Sequence, residues 1–100
     1  MQPILRQNID KIRKICRKHK VRQLFAFGSV CRNDFSDDSD IDFLVSFEDM
    51  PYADYADTYF NLVEKLEILL NRRVDLLTDK SIKNPYLIES LNTDKTLLYG

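Results

Sequence analysis

Long apolar runs, cysteines and histidines are all scarce in this sequence. No stretch approaches the roughly 20 apolar residues that a bilayer-spanning helix needs, and residues 1–10 hold no apolar run of the kind a secretory signal carries. Cys16 and Cys31 are the only cysteines and His19 is the only histidine. Two cysteines make no disulfide framework, and no CxxC or HxxxH spacing offers a zinc site. These absences predict a soluble, cytoplasmic chain with reduced thiols and no membrane partner. Positive charge is missing locally as well: residues 33–64 contain no Lys or Arg.

What is present is segregated. Eight of the 15 Lys and Arg residues lie before Leu24, where Asp10 is the only acid. Asp34, Asp37, Asp38, Asp40, Asp42, Glu48, Asp49, Asp54, Asp57 and Glu64 then accumulate in the stretch without cations, although the net charge is only −1. Such a block repels itself unless something cationic enters it. One hundred residues, 44% of them hydrophobic, suit one small domain spanning 1–100, with no room for a second substrate-binding domain.

Leu5, Ile9, Ile12 and Cys16 recur at helical spacing and predict an amphipathic helix over 3–19, with its basic residues on the solvated face. Residues 24–27 form a short apolar run ending at Gly28, as a buried strand does. A helical turn over 29–32 and a polar loop over 33–39 follow. Ile41, Phe43 and Val45 alternate with Asp40, Asp42 and Leu44, the period of a strand. A second helix is expected over 55–71, a third strand over 73–78, a last helix from Pro85 carrying Leu87, Ile88 and Leu91, and a short strand over 96–99. The fold class is α+β (α/β): a small mixed sheet with a βαβ crossover and helices packed on it.

That order gathers chemistry at one sheet edge. Asp40 and Asp42 open the second strand and Asp75 lies near the start of the third, so parallel neighbours bring all three together. Gly28 and Ser29 join them if the first strand runs antiparallel to the second. Two carboxylates two residues apart on a strand project from one face and can share one metal ion, or two ions about 3.5–4 Å apart. Like charges side by side are costly without a counter-ion, and oxygen-only ligands suit magnesium or manganese. A glycine–serine turn at the end of a strand offers backbone N–H groups and a hydroxyl to phosphate oxygens.

The run Gly28-Ser29, ten residues, then Asp40-Ile41-Asp42, with Asp75 later in Arg73-Val74-Asp75-Leu76, resembles the signature of the minimal nucleotidyltransferases in the DNA polymerase β superfamily. Asn33 stands where that family usually has glycine, and Cys31 where alanine is commoner. The resemblance implies a polymerase β-like nucleotidyltransferase fold. It implies that Gly28 and Ser29, with Arg32 and Ser39 beside them, bind a nucleoside triphosphate. By the same likeness Asp40 and Asp42 ligate two Mg²⁺ ions, or Mn²⁺, and Asp75 joins the catalytic metal and helps to deprotonate the attacking hydroxyl. Small members of that family are antitoxins paired with HEPN-domain ribonuclease toxins. The expected activity is therefore AMP transfer from ATP to a tyrosine of such a toxin.

Other readings stand beside this one. A calcium-binding EF-hand needs glycine at position six of its loop, whereas counting from Asp34 or Asp37 reaches Ser39 or Asp42. Arg32 serves equally as a triphosphate clamp or as a partner of Asp34, Asp37 or Asp38. His19 is expected at a helix C-terminus and Tyr52, Tyr55, Tyr59 and Phe60 in core and edge packing. A binding-only antitoxin and a transferase acting on a small-molecule hydroxyl are the rival functions. The basic first helix lacks interleaved aromatics and the chain lacks net positive charge, which argues against nucleic acid.

Overall fold

The structure is a computed structural model and describes residues 2–32, 35–79, 88–89 and 95–100. The leucine, isoleucine and cysteine stripe at the start of the chain forms helix α1, Pro3–Lys18, with Pro3 in its first turn and Leu5, Ile12 and Cys16 fully buried. His19 caps it, and a ring nitrogen, Nδ1, lies 2.8 Å from the carbonyl of Ile15. Strand β1, Val21–Phe27, follows. It begins three residues before the apolar run, because Arg22 and Gln23 are exposed at a bulge in the pairing with β2 and interrupt the apolar pattern.

A 3₁₀ turn, Gly28–Cys31, leads off β1. Strand β2, Ile41–Phe47, then buries Ile41, Phe43 and Val45 completely, so its alternation is that of a strand with one face in the core. A Phe→Ala truncation at such a buried site costs about 3–5 kcal/mol. Helix α2, Tyr52–Leu70, starts directly after Pro51, three residues ahead of the expected start. Its buried stripe begins only at Leu62, so the exposed first turns carry little periodic signal. Asn71, at φ 52°, ends it in the left-handed conformation that asparagine tolerates. Strands β3, Val74–Thr78, and β4, Thr96–Tyr99, complete the sheet. Of the expected last helix, Ile88 and Glu89 are helical and the remainder lies outside the described residues.

The strand order is β3-β2-β1-β4, with β2 and β3 parallel and the β1–β2 and β1–β4 pairs antiparallel. The α2 crossover between β2 and β3 is the expected βαβ unit. Both helices contribute to one core with Leu24, Phe43, Val45, Leu62, Leu66 and Leu98. Tyr52 and Phe60 are exposed instead of packed, a correction to the expectation for the α2 aromatics, while Tyr55 and Tyr59 are half-buried. Among the described residues no helix is long and apolar enough to cross a membrane.

Candidate active site

Pairing register assembles the site. Phe27, the last residue of β1, stands opposite Asp42, and Asp42 stands opposite Asp75 in the parallel pair. Because side chains alternate along each strand, Asp42 and Asp75 project from the face away from Ile41, Phe43 and Leu76, which are buried. Gly28 comes directly after Phe27 and therefore sits beside Asp42.

Gly28 has a φ of +74°, and a Cβ built on it would stand 2.4 Å from Oδ2 of Asp42. Two independent constraints, backbone conformation and space, thus require glycine here. Ser29 is half-buried, and its carbonyl accepts the backbone N–H of Arg32 at 3.0 Å. The 3₁₀ turn is thereby closed next to the carboxylates.

Burial pushes the Asp42 carboxyl up to about 6, reinforced by the negative charges of Asp75 and Asp40 and opposed by the positive charge of Arg32. The three aspartates and Arg32 therefore act electrostatically on one point. Asp40 is exposed and lies one residue ahead of β2, so the expectation that it opens the strand is corrected. On the far side, burial and then the charge of Asp75 raise the Tyr59 hydroxyl above its ordinary range, with Tyr55 adding to the effect.

The chemistry of the candidate donors suits a hard divalent cation: all three offer carboxylate oxygens, whose mutual repulsion a cation would relieve. The absence of a side chain on Gly28 leaves the space that the Asp42 carboxylate occupies. Among the described residues no three acidic, histidine or cysteine side chains are already gathered into a metal shell.

Sequence reasoning missed Arg72. Its Nη1 donates to the carbonyls of Ser36 at 2.7 Å and Ser39 at 2.9 Å, its Nη2 lies 3.6 Å from Oδ1 of Asp37, and its guanidinium stacks 4.5 Å from the centroid of Phe35. Asp37, assigned from sequence as a possible partner of Arg32, lies within ion-pair distance of Arg72 with its side chain exposed. One arginine organises the loop that delivers Asp40. The available signal was an arginine pair directly before the strand of Asp75, facing an acidic stretch without cations of its own. The Ser39 hydroxyl is engaged within the same loop, accepting the Ser36 backbone N–H at 3.1 Å and lying 3.2 Å from the Ser36 hydroxyl.

Comparison with known proteins gives a consistent answer. The family model for polymerase beta nucleotidyltransferases matches residues 10–100. MJ1379 of Methanocaldococcus jannaschii, a candidate protein adenylyltransferase, is 38% identical over 96 residues, spanning 88% of this chain and 95% of that protein. A solved structure of a candidate minimal nucleotidyltransferase superposes with a TM-score of 0.76 at 30% identity, covering 92% of this chain and 90% of the other. The structure of a tri-AMPylated Shewanella oneidensis HEPN toxin in complex with its MNT antitoxin contains a chain matching at a TM-score of 0.65 and 26% identity, covering 95% and 71% of the two chains. The glycine turn held against Asp42, the paired Asp42 and Asp75 and these likenesses agree: the chain belongs to the polymerase beta nucleotidyltransferase family and is a nucleotidyltransferase.

Proposed function

We propose that this protein transfers AMP from ATP to a tyrosine hydroxyl of a HEPN-domain ribonuclease toxin and thereby silences it, acting as a cytoplasmic antitoxin. The observation that carries the reading is the row Phe27–Asp42–Asp75 with Gly28 beside Asp42. Support for the acceptor comes from the likeness to an MNT antitoxin seen with its tri-AMPylated HEPN toxin and to a candidate protein adenylyltransferase.

In this mechanism the turn Gly28–Ser29 binds triphosphate oxygens through backbone N–H groups and the Ser29 hydroxyl, with Arg32 adding its charge and Ser39 lying at the rim. Asp40 and Asp42 would hold two Mg²⁺ ions, or Mn²⁺, with Asp75 joining on one of them, and these supply charge neutralisation to the triphosphate and the entering oxygen when bound. Asp75 orients the acceptor hydroxyl and takes its proton. The hydroxyl oxygen bonds to the α-phosphorus, the bond from that phosphorus to the bridging oxygen breaks, and pyrophosphate leaves. Positioning and electrostatics do most of the catalysis.

The exposed Tyr52, Phe60 and Ile68 of α2 favour one second reading, neutralisation of the toxin by contact alone. Incubating wild type and Asp42→Asn with α-labelled ATP, Mg²⁺ and a lysate of the source cell separates the readings. A labelled protein band that Asp42→Asn fails to produce supports protein adenylylation, and mass spectrometry of the band names the residue. Label on small molecules only would redirect the proposal to a small hydroxyl acceptor. No label, with neutralisation intact after substitution of all three aspartates, would leave contact alone.

A further inference from the structure

Strand β3 is five residues long and lies at the edge of the sheet, paired only with β2 among the described strands. The Ile41 N–H donates to the Arg73 carbonyl at 3.0 Å and the Asp79 N–H donates to the Val45 carbonyl at 3.2 Å. In a parallel pair alternate residues bond to the same neighbour, so the backbone groups of Asp75 face β2 and those of Val74 and Leu76 face outward. A short edge strand with outward-facing groups is a poor platform for a side chain that must be held in place.

Both residues flanking Asp75 are nevertheless held, and both by α2. The Val74 N–H donates to Oε2 of Glu67 at 3.0 Å, and the Tyr59 hydroxyl donates a short hydrogen bond to the Leu76 carbonyl. Tyr59 and Glu67 are eight residues apart on the helix, about 12 Å along its axis, whereas Val74 and Leu76 are about 7 Å apart along the strand. Two long side chains therefore converge on the segment centred on Asp75.

We propose that Tyr59 and Glu67 are positioning residues that clamp β3 on either side of Asp75 and set its carboxylate for the metal and the acceptor. This rests on the reading of Asp75 as the third carboxylate of the site. Each acts through the backbone of a neighbour of Asp75. Outer groups of this kind typically change metal affinity or rate 10–100-fold when removed.

The test uses the full chain with ATP present, titrating Mn²⁺ by its electron spin resonance signal and measuring AMP transfer in parallel. Tyr59→Phe and Glu67→Ala are each expected to weaken Mn²⁺ binding and lower kcat about tenfold, with the KM for ATP changed less than about twofold. Glu67→Gln keeps an oxygen to accept the Val74 N–H and is expected to restore most of that loss. In an Asp75→Asn background neither substitution should weaken Mn²⁺ binding further, because the group being positioned is already gone. Equal losses with and without Asp75 would reduce the clamp to general edge support and overturn the inference. Wild-type Mn²⁺ binding and rate in Tyr59→Phe and Glu67→Ala, beside a disabled Asp75→Asn, would overturn the clamp and leave the proposed function standing. Normal binding and transfer in Asp75→Asn itself would instead overturn the assignment on which both rest.

Discussion

Gly28 yields its side-chain space to Asp42: a Cβ at position 28 would lie 2.4 Å from Oδ2 of Asp42, on a backbone already at φ +74°. The turn expected to bind phosphate and the carboxylate expected to bind metal are therefore one steric unit. Changing either disturbs the other.

Gly28→Ala is accordingly expected to lower stability by about 1–3 kcal/mol, since a strained left-handed backbone and a clash with a neighbouring carboxylate combine. Transfer activity should fall by a factor on the order of 100, because displacement by about an ångström at a reacting centre costs that much. Urea denaturation and labelled-ATP turnover measure the two effects. An alanine variant that keeps both would mean that the turn relaxes without moving Asp42.

Asp42 makes stability depend on pH. Its pKa is raised from 3.8 to about 6 on folding, so between those values the folded chain keeps a proton that the unfolded chain has lost. Stability from this group consequently falls as pH rises from about 3.8 to about 6 and stays lower above that window. Asp42→Asn removes the penalty. Because the carboxyl remains partly solvated, the variant should be more stable than wild type by on the order of 1 kcal/mol at pH 7.5, which is about 4–8 °C in Tm for a chain of this size. The difference should shrink towards pH 4, and added Mg²⁺ should narrow it by stabilising wild type. Equal stability of the two proteins at every pH would contradict the assigned burial and repulsion.

Arg72 should not be replaceable by lysine. Two carbonyls on one nitrogen, a carboxylate on another and the face of Phe35 use the planar fork of the guanidinium, which an ammonium lacks. Arg72→Lys is expected to cost about 1 kcal/mol in stability, the scale of the hydrogen bonds lost, and to lower transfer by about tenfold through a loosened approach to Asp40. Limited proteolysis of the 35–39 loop together with turnover reports both. An unchanged cleavage rate would show that the loop holds its shape without this arginine.

The sequence alone determined the apolar stripe of α1, the alternation that buries Ile41, Phe43 and Val45, the glycine–serine turn and the Asp-x-Asp beside it. Each of these is encoded over a few neighbouring residues, where periodicity and spacing are read directly. Helix and strand starts were less legible at Val21 and Tyr52, where exposed polar residues or an unburied first turn weaken the period. The parallel pairing that brings Asp75 to Asp42 was expected from the element order, and what only the tertiary structure decided was strand order and register: β4 placed beside β1, Asp75 directly opposite Asp42, and Phe27 completing their row. The grip of Arg72 on the loop, and of Tyr59 and Glu67 on β3, was invisible for the same reason. Side chain to backbone contacts across 7, 17 or 36 residues leave no local pattern, since any backbone N–H or carbonyl pairs equally well and only the fold selects which one is within reach.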